Sequence, residues 1–566
     1  MSDLAFLSVA ELSKRIHAKE LSPVELVQAL LARIRRYDGK INSFIRVTED
    51  VALAQARAAE GEIMAGIRRG PLHGIPFGLK DIIETAGIPT TAHSKLLHDH
   101  VPATDAVVTR RLYDAGAALV GKLATYEFAL GGPSWDLPWP PARNPWNIAY
   151  LPGGSSSGSG AAVAAGFVPA ALGTDTGGSV RWPAAVCGIV GLKPTYGRVS
   201  RRGILPNTYT MDHCGPLTRT VEDCALLMQA LAGFDPADPG SAEAPVPDYR
   251  AGLTGDIKGL RVGLVRHWYE EDAHPDVAPA IDRAAAQLAS LGALVDEVRL
   301  SSLLEYADCK TTISAAELYA IHAPELKRRP QDFGKLLRNR VLPGALIRAE
   351  DYVQAQRRRT VLCRELGAMF ERVDVLVTAG WLTVGDRADP DGNDNLTQVP
   401  HATSPFSVGG VPAIVVPCGV SREGLPLSLQ IAGRPFAERL VLRVAHAYEQ
   451  ATEFHRRHPN LDKAIDGKPV ETDFRLDKAI DGKPVETDFR RAAPLPAPPG
   501  RPLSSPDEVR AMLAQAGLGL SQTHEAELID SFKSYEAMLR RLPRDYSYGD
   551  EPAHSFAPGR LLPNPP

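Results

Sequence analysis

Apolar residues recur at helical spacing in the first 50 residues of the chain. Between Leu26 and Ile34 an apolar side chain returns at every third or fourth position, which marks one face of a helix. Ser22 and Glu25 form the S-x-x-E capping box in front of this stripe, and Pro23 occupies the favoured first helical position. The pattern predicts that the chain begins with two amphipathic helices.

Beyond these helices the pattern changes to short apolar runs that alternate with helices rich in small residues. The runs include GIPFGLKDII, AALVGK and GIVGLKP. Later runs at 259–267, 373–378 and 413–417 predict further buried strands, and residues 277–293 and 440–450 predict helices. This alternation is typical of an α/β protein.

The composition changes after residue 460, where a repeated segment begins. Residues 461–475 have the sequence LDKAIDGKPVETDFR, and residues 476–490 repeat it letter for letter. Two copies are too few for a solenoid, so the segment is interpreted as a solvated linker or a duplicated surface segment, with a ligand-binding repeat as the alternative. The Pro-rich residues 492–502 that follow are expected to be extended.

A second helical stripe lies near the C-terminus. Leu528, Phe532, Tyr535, Leu539 and Leu542 are spaced by four, three, four and three residues. A helix pair of this size must bury its stripe against something larger, so we expect it to dock on the main body or on a second subunit. The last 20 residues are expected to form a wrapping arm or a loose tail.

Charge and composition exclude several classes of protein. The net charge is −4 over 566 residues and no run rich in lysine or arginine occurs, so neither nucleic acid nor a membrane is an expected partner. The six cysteines are scattered without metal-ligand spacing, so no metal site is predicted. The longest apolar stretch, 161–173, is too short for a membrane span, and no signal peptide is visible. A cytoplasmic protein is expected.

The most informative segment, residues 152–203, combines glycine, serine and apolar residues. A flexible linker is excluded because the Gly/Ser run leads directly into the apolar helix AAVAAG. The patterns of a P-loop and of a dinucleotide-binding turn are both absent, so no cofactor is predicted. Residues 154–158 formally match the G-x-S-x-G nucleophile elbow with Ser156 at its centre, but the preceding residues predict a loop where the elbow needs a strand.

A second pair of glycines precedes Ser179. Gly177 and Gly178 can turn successive backbone N–H groups toward one point, because glycine tolerates positive φ. The N–H groups of Thr176, Gly177, Gly178 and Ser179 are the candidates for an oxyanion hole. Ser179 would lie beside them as the nucleophile of an acyl transfer.

A serine nucleophile needs a base, and the segment GIPFGLKDII contains Lys80. Its apolar neighbours predict burial, which lowers the pKa of a lysine toward the value that a base requires. A solvated surface lysine is the alternative interpretation. His73 and His213 are also available as bases, although the sequence ties neither of them to the serine.

The motifs GGSSSGSGAAVAAG, GTDTGGSVRWPA and GLKPTYGRVSRRG closely resemble the signature of the amidase-signature enzymes. GIPFGLKD resembles the lysine motif of the same family, and the likeness extends to about residue 460. The resemblance implies the α/β amidase-signature fold, a mixed central sheet covered by helices. It also implies a Ser–Ser–Lys triad in which Ser179 is the nucleophile, Ser155 is a bridging serine with a cis peptide bond and Lys80 is the base.

Further roles follow from the resemblance. Asp175, Thr174 and Ser157 are expected to support the cis serine, and Arg181 is similar to a structural arginine of the family. Ser157 stands where the family has glycine, but serine is small, so catalysis should survive. The expected reaction is hydrolysis of a small-molecule amide, anilide or carbamate through an acyl-enzyme.

Aromatic and apolar residues flank the signature where the family has its substrate pocket. They are Tyr126, Trp135, Trp139, Tyr209, Met211 and His213. They predict an aryl or otherwise apolar substrate group, with packed core as the alternative.

Two alternatives to a stand-alone amidohydrolase remain. The first is the ammonia-donating component of a tRNA-dependent amidotransferase, which passes ammonia to a partner. The second is a catalytically silent binding protein. Family members often dimerise, which makes a homodimer a candidate assembly. The catalytic domain is expected to span residues 1–460, the duplicated linker 461–490, and the Pro-rich and helical extension 491–566. This extension is faintly similar to the small helical component of those amidotransferases and to a helical N-terminal extension of some bacterial amidases.

Overall fold

The computed structural model describes residues 4–270, 272–390, 400–465 and 504–544. The predictions for most of the duplicated segment, for the Pro-rich stretch and for the last 20 residues fall outside these ranges. Within them the chain forms one large sheet with helices on both faces, which confirms the α/β expectation.

The sheet has eleven strands in the described part of the chain. They are β1 (Phe44–Val47), β2 (Pro76–Lys80), β3 (Ala118–Leu123), β4 (Ala170–Asp175), β5 (Val190–Lys193), β6 (His213–Thr218), β7 (Arg261–Leu264), β8 (Leu294–Glu297), β9 (Val375–Ala379), β10 (Ala413–Val420) and β11 (Pro426–Gly433). Their order is β1-β3-β2-β4-β6-β5-β10-β11-β9-β7-β8. β2 runs parallel to β3 and β4, and β7 runs parallel to β8 and β9, whereas the other pairs are antiparallel.

Helices cover the sheet and connect its strands. They are α1 (Val9–His17), α2 (Pro23–Ile41), α3 (Glu49–Met64), α4 (Val107–Asp114), α5 (Ser157–Ala164), α6 (Arg181–Cys187), α7 (Val221–Leu231), α8 (Val277–Ser290), α9 (Leu303–Arg328), α10 (Lys335–Val341), α11 (Ala349–Arg372), α12 (Ser404–Val408), α13 (Glu438–Gln450), α14 (Leu461–Ile465), α15 (Pro506–Gln515) and α16 (Gln522–Arg541). As predicted, α2 begins at Pro23, and Ser22 caps it by accepting from the Val24 and Glu25 N–H groups. The Glu25 side chain does not accept from the Ser22 N–H in return, so only the serine half of the predicted capping box forms.

The central strands are buried on both faces, which explains their near-continuous apolar sequences. Successive side chains enter opposite cores because the strand period is two. In β3, Leu119 packs with the α1, α7 and α13 side, whereas Ala118 and Val120 pack with the α2, α5 and α6 side. The two cores hold the ends of the strands in fixed register, and the candidate site lies at the ends of β2 and β4.

The C-terminal helices α15 and α16 dock on the main body through the predicted stripe. Leu528 and Phe532 are buried in a cluster that includes Leu337 of α10, and Leu539 joins the main core. Arg541 donates to both carboxylate oxygens of Asp308 on α9 at 2.7 Å. The docking predicted from the stripe is therefore intramolecular.

Across the described ranges, none of the helices combines the length and the apolar character needed to cross a membrane.

Candidate active site

Lys80 is the last residue of β2 and is completely buried. Its nitrogen Nζ lies 2.8 Å from Ser155 Oγ and 2.8 Å from Thr174 Oγ1, so the lysine donates to two hydroxyl groups. β4 is the parallel neighbour of β2, which places Thr174 at the same end of the sheet. The structure thus brings together three residues that the sequence motifs singled out.

Ser155 follows a cis peptide bond, Gly154–Ser155, in the loop before α5. A Cβ on Gly154 would clash with the ring of Tyr126, and the Tyr126 N–H donates to the Ser155 carbonyl at 3.0 Å. Ser157 opens α5 and its hydroxyl donates to the Ala124 carbonyl at 3.3 Å. Close packing by Tyr126 and anchoring of α5 on the end of β3 therefore place the Ser155 loop.

Ser179 lies in the turn between β4 and α6 and is partly exposed, whereas Ser155 is buried. The Ser179 carbonyl accepts from the Ser156 N–H at 3.3 Å, which links the two serine segments. Ser179 is therefore the more exposed of the two serines.

An ion pair between Asp175 and Arg181 holds this turn, and both side chains are fully buried. Asp175 accepts from Arg181 Nε and Nη2 at 2.9 Å and from the Gly178 N–H at 2.7 Å. Arg181 also donates to the Thr403 carbonyl, to Gln430 and to Ser407, each at 2.8 Å. Burial acts to raise the pKa of Asp175, but the Arg181 charge and hydrogen bonds outweigh it and hold the pKa well below the usual range.

The oxyanion-hole prediction needs a correction at Gly178. Its N–H is committed to the Asp175 carboxylate at 2.7 Å, so it is not free for a substrate oxygen. Within the described ranges, the N–H groups of Thr176, Gly177 and Ser179 donate to no other residue. Gly178 is instead needed for its backbone, because its φ is +137° and a Cβ would clash with Thr403.

Burial lowers the pKa of Lys80 to about 7, while the charges of Asp212 and Asp175 act in the opposite direction. Lys80 donates to hydroxyl groups, and Asp175 is occupied by Arg181. A large fraction of Lys80 is therefore the neutral amine near neutral pH, which is the form that can accept a proton.

The two histidines that the sequence left open as bases lie in other surroundings. His73 is buried with Nε2 3.1 Å from the Glu62 carboxylate. His213 directs Nδ1 at the carbonyls of Asp175 and Met211, at 3.0 and 2.6 Å. Burial lowers its pKa far below the ordinary value. Both rings are thus engaged in structural contacts.

Ser156 does not occupy a nucleophile elbow. It is completely buried, and its hydroxyl donates to the Thr174 carbonyl and accepts from the Thr174 N–H, both at 3.2 Å. The residues immediately before it form no strand, as the sequence predicted.

A cavity of about 690 Å³ reaches the lysine end of this site. Thr174, Asp212 and His213 are among its lining residues, together with Tyr209 and Arg201. Two of the six predicted pocket residues, Tyr209 and His213, therefore line it.

The other four predicted pocket residues do not line this cavity. Met211 is fully buried in the main core, and Tyr126 packs against Gly154. Trp139 packs against the rings of His93 and His98, and Trp135 lies under the Arg143 guanidinium. Tyr126 and Met211 are buried, as the packed-core alternative expected, whereas Trp135 and Trp139 are partly exposed.

Several residues at the site were missed from the sequence. Thr403 donates to the Gly177 carbonyl at 2.7 Å, and a Cβ on Gly177 would lie 2.8 Å from Lys310 Cε. The segment SPFSVGG, residues 404–410, also resembles the amidase-signature enzymes and begins one residue after Thr403, so it was the available signal for that residue. Lys310 lies in the middle of α9 and belongs to none of the recognised motifs.

His274, Asp276 and Glu423 form a group that could hold a metal ion. Arg422 already donates to Asp276 at 2.8 Å, and His274 Nε2 lies 3.3 Å from Glu423. Because the arginine neutralises the aspartate, this arrangement favours an ion-pair network over metal binding.

The sequence and the fold were compared with those of known proteins. A sequence profile of the Amidase family matches residues 25–442. The A component of the glutamyl-tRNA(Gln) amidotransferase of Moorella thermoacetica is 40% identical over 487 residues, with 82% of this chain and 100% of that protein covered.

Two solved structures show the same fold. One belongs to a vestigial protein complex reported to reveal the origins of an s-triazine catabolic enzyme; it is 35% identical with a TM-score of 0.74, over 78% of this chain and 98% of that chain. The peptide amidase of Stenotrophomonas maltophilia is 33% identical with a TM-score of 0.70, over 80% of this chain and 98% of that chain. The chain belongs to the amidase-signature family.

Proposed function

We propose that this chain cleaves a carboxamide C–N bond through an acyl-enzyme on Ser179, with Ser155 and Lys80 moving the proton. The observation that carries the proposal is Lys80, which is fully buried, donates to two hydroxyl groups and has a pKa of about 7. A base with a pKa near the working pH is the most effective proton acceptor.

The first half of the reaction forms the acyl-enzyme. Neutral Lys80 takes the Ser155 proton while Ser155 takes the Ser179 proton, and Ser179 Oγ attacks the carbonyl carbon. The carbonyl electron pair moves to oxygen, where the N–H groups of Gly177 and Ser179 stabilise it. When the tetrahedral species collapses, the C–N bond breaks and the leaving nitrogen takes the proton back through Ser155.

Water completes the cycle. Its proton moves by the same route to Lys80 while its oxygen attacks the acyl carbon. Collapse returns the proton to Ser179 and releases a carboxylic acid. Asp175 and Arg181 hold the turn that carries Ser179, so they act as positioning residues.

We propose a primary amide such as glutamine as the substrate. The Moorella protein, matched over its whole length, is named as one component of an enzyme that acts at glutamyl-tRNA(Gln). Ammonia is then the first product, and a partner protein could use it. A stand-alone amidase is the second candidate, supported by the likeness to a peptide amidase.

The C-terminal helices α15 and α16 lie outside the part of the chain to which we assign the chemistry. The family profile ends at residue 442, and α15 and α16 pack on α9 and α10. We propose that residues 1–460 hold the chemistry and that the helix pair stabilises α9 and α10. Removal of residues 466–566 should lower the melting temperature and change KM more than kcat; an unchanged melting temperature and unchanged KM would contradict this division.

A panel of amides tests the main proposal. Purified protein is assayed for ammonia, amine and acid release from glutamine, a primary aliphatic amide, an anilide and an aryl carbamate. Ser179→Ala and Lys80→Met should remove the activity. Ser156→Ala, a change at the serine next to Ser155, should retain most of it. Activity that survives Ser179→Ala would refute the assignment.

The same panel separates the two candidate functions. Multiple turnover of glutamine or another amide by the chain alone supports an amidase. Release of ammonia that requires an added partner protein supports an amidotransferase component.

A further inference from the structure

Helix α9 lies between the C-terminal helix pair and the Ser179 turn. Asp308 accepts from Arg541 of α16, and Thr312 Oγ1 lies 3.8 Å from Met538 of the same helix. Residues 308 and 312 share one face of α9 because they are four positions apart. Lys310 is two positions from each and therefore projects from the opposite side.

The side chain of Lys310 ends at the catalytic turn. A Cβ placed on Gly177 would lie 2.8 Å from Lys310 Cε and 3.2 Å from Nζ. Gly177 carries one of the free N–H groups of the proposed oxyanion hole and is separated from Ser179 by one residue. The Lys310 ammonium therefore lies close to the position that the scissile carbonyl would occupy beside the Gly177 and Ser179 N–H groups.

No described residue forms an ion pair or a hydrogen bond with Lys310 Nζ. Burial and the charge of Arg340 lower its pKa to about 8, and Asp175 acts in the opposite direction. Asp175 is already bonded to Arg181, so it does not provide Lys310 with a counter-ion of its own. At pH 7 Lys310 therefore carries an ammonium ion to which none of the described residues offers an unshared anion.

The described part of the neighbouring surface is formed by aromatic rings. The ring of Trp182 stacks on Trp381 at 4.5 Å, and Trp381 stacks on His401 at 4.3 Å. Burial, with the charges of Lys310 and Arg340, lowers the pKa of His401 to about 3, so this ring is neutral. A cation beside such a wall is stabilised most by an anion that enters with the ligand.

We propose that Lys310 selects amides that carry a carboxylate a few bonds from the scissile carbonyl, such as the half-amide of a dicarboxylic acid. The inference rests on the proposed function, since it places the carbonyl at Ser179. The carboxylate binds the Lys310 ammonium, and the amide carbonyl then reaches the N–H groups of Gly177 and Ser179. Lys310 is thereby a specificity-determining residue and takes no proton in the reaction.

Paired substrates test the proposal. Succinamate carries the carboxylate, and butyramide has the same length with a methyl group in its place. Lys310→Met should raise KM for succinamate by about tenfold or more with little change in kcat, because a charge-assisted hydrogen bond is lost. Its butyramide kinetics should not change, and Lys310→Arg should restore much of the succinamate KM. Lys327→Met, an exposed lysine on the same helix, is the matched control.

Two outcomes of the kinetic test would overturn the proposal. An unchanged succinamate KM in Lys310→Met overturns the proposal. An equal loss of kcat for both substrates also overturns it, because Lys310 would then act on the oxyanion or on folding.

A direct binding measurement tests the anion site independently of whether the protein hydrolyses an amide. Succinate binding to Ser179→Ala protein, measured by calorimetry, needs no turnover. Loss of that binding in the Ser179→Ala, Lys310→Met double variant supports the anion site even if no amide is hydrolysed. Equal binding with and without Lys310, or no binding to either protein, overturns it.

Discussion

Lys80 and Lys122 lie near the ends of neighbouring strands, β2 and β3, and both are completely buried, yet their surroundings differ. Lys122 Nζ lies 3.2 Å from the Asp81 carboxylate and donates to Thr90 and to the Ile83 carbonyl at 2.7 Å. Lys80 donates to two hydroxyl groups. Burial lowers the pKa of both lysines, but Asp81 opposes this effect directly at Lys122.

The difference shows how one sheet contains a structural cation and a candidate base side by side. A lysine paired with a buried carboxylate keeps its proton, because removing it would leave an unpaired anion. A lysine surrounded by hydroxyl groups loses its proton more readily, because hydroxyls bond to the neutral amine as well. The choice of partner, rather than burial alone, therefore separates the two roles.

The largest expected effect is on catalysis. Lys80→Met should lower kcat/KM by about a thousandfold, because general-base assistance is lost. Lys122→Met should leave kcat/KM within about tenfold when rates are normalised to the folded fraction. Steady-state assays of both variants on one amide test this, and equal losses in the two would remove the functional distinction.

The second effect is on stability, and here the Lys122 variant should lose more than the Lys80 variant. Lys122→Met should lower the free energy of unfolding by about 3–5 kcal/mol, because Asp81 would remain buried without its cation. Lys80→Met leaves no buried charge and should change it by less than about 1.5 kcal/mol. Denaturant unfolding followed by circular dichroism measures both values. A larger loss in Lys80→Met would show that Lys80 is mainly structural.

The third effect is the dependence on pH. kcat/KM should rise with pH through an apparent pKa near 7, because only neutral Lys80 accepts a proton. The unfolded chain binds more protons than the folded chain between about 7 and 10.5, so the Lys80 contribution to stability should increase with pH in that window. Rate profiles, and unfolding of wild type against Lys80→Met at several pH values, test both trends. A flat rate profile from pH 6 to 8 would contradict the assignment.

The smallest effect concerns the hydroxyl partners. Thr174→Val removes one acceptor from Lys80 and should lower kcat/KM about tenfold, as expected for one lost hydrogen bond. Thr90→Val removes the corresponding acceptor from Lys122 and should reduce stability while sparing kcat/KM. If both variants lowered kcat/KM equally, the contrast between the two lysines would be lost.

Much of the fold could be predicted from local pattern. The apolar runs at 373–378 and 413–417 are strands β9 and β10, and the stripe through Leu528 and Phe532 docks as expected. The separate motifs also led to Lys80, Ser155 and Thr174, which the structure places in contact. The long helices α9 and α11 were not predicted, because their apolar residues follow weaker patterns.

Local sequence was sufficient wherever one segment carries its own signal. Periodicity defined the strands and helices, and glycine and serine spacing marked the turn at Ser179. Contacts between distant segments required the folded chain: the Asp81 that pairs with Lys122, the carboxylate that takes the Gly178 N–H, and the Lys310 that approaches Gly177. A side chain's partner and its pKa depend on which strands become neighbours and how deeply they are buried, and both follow from the packing of the whole sheet.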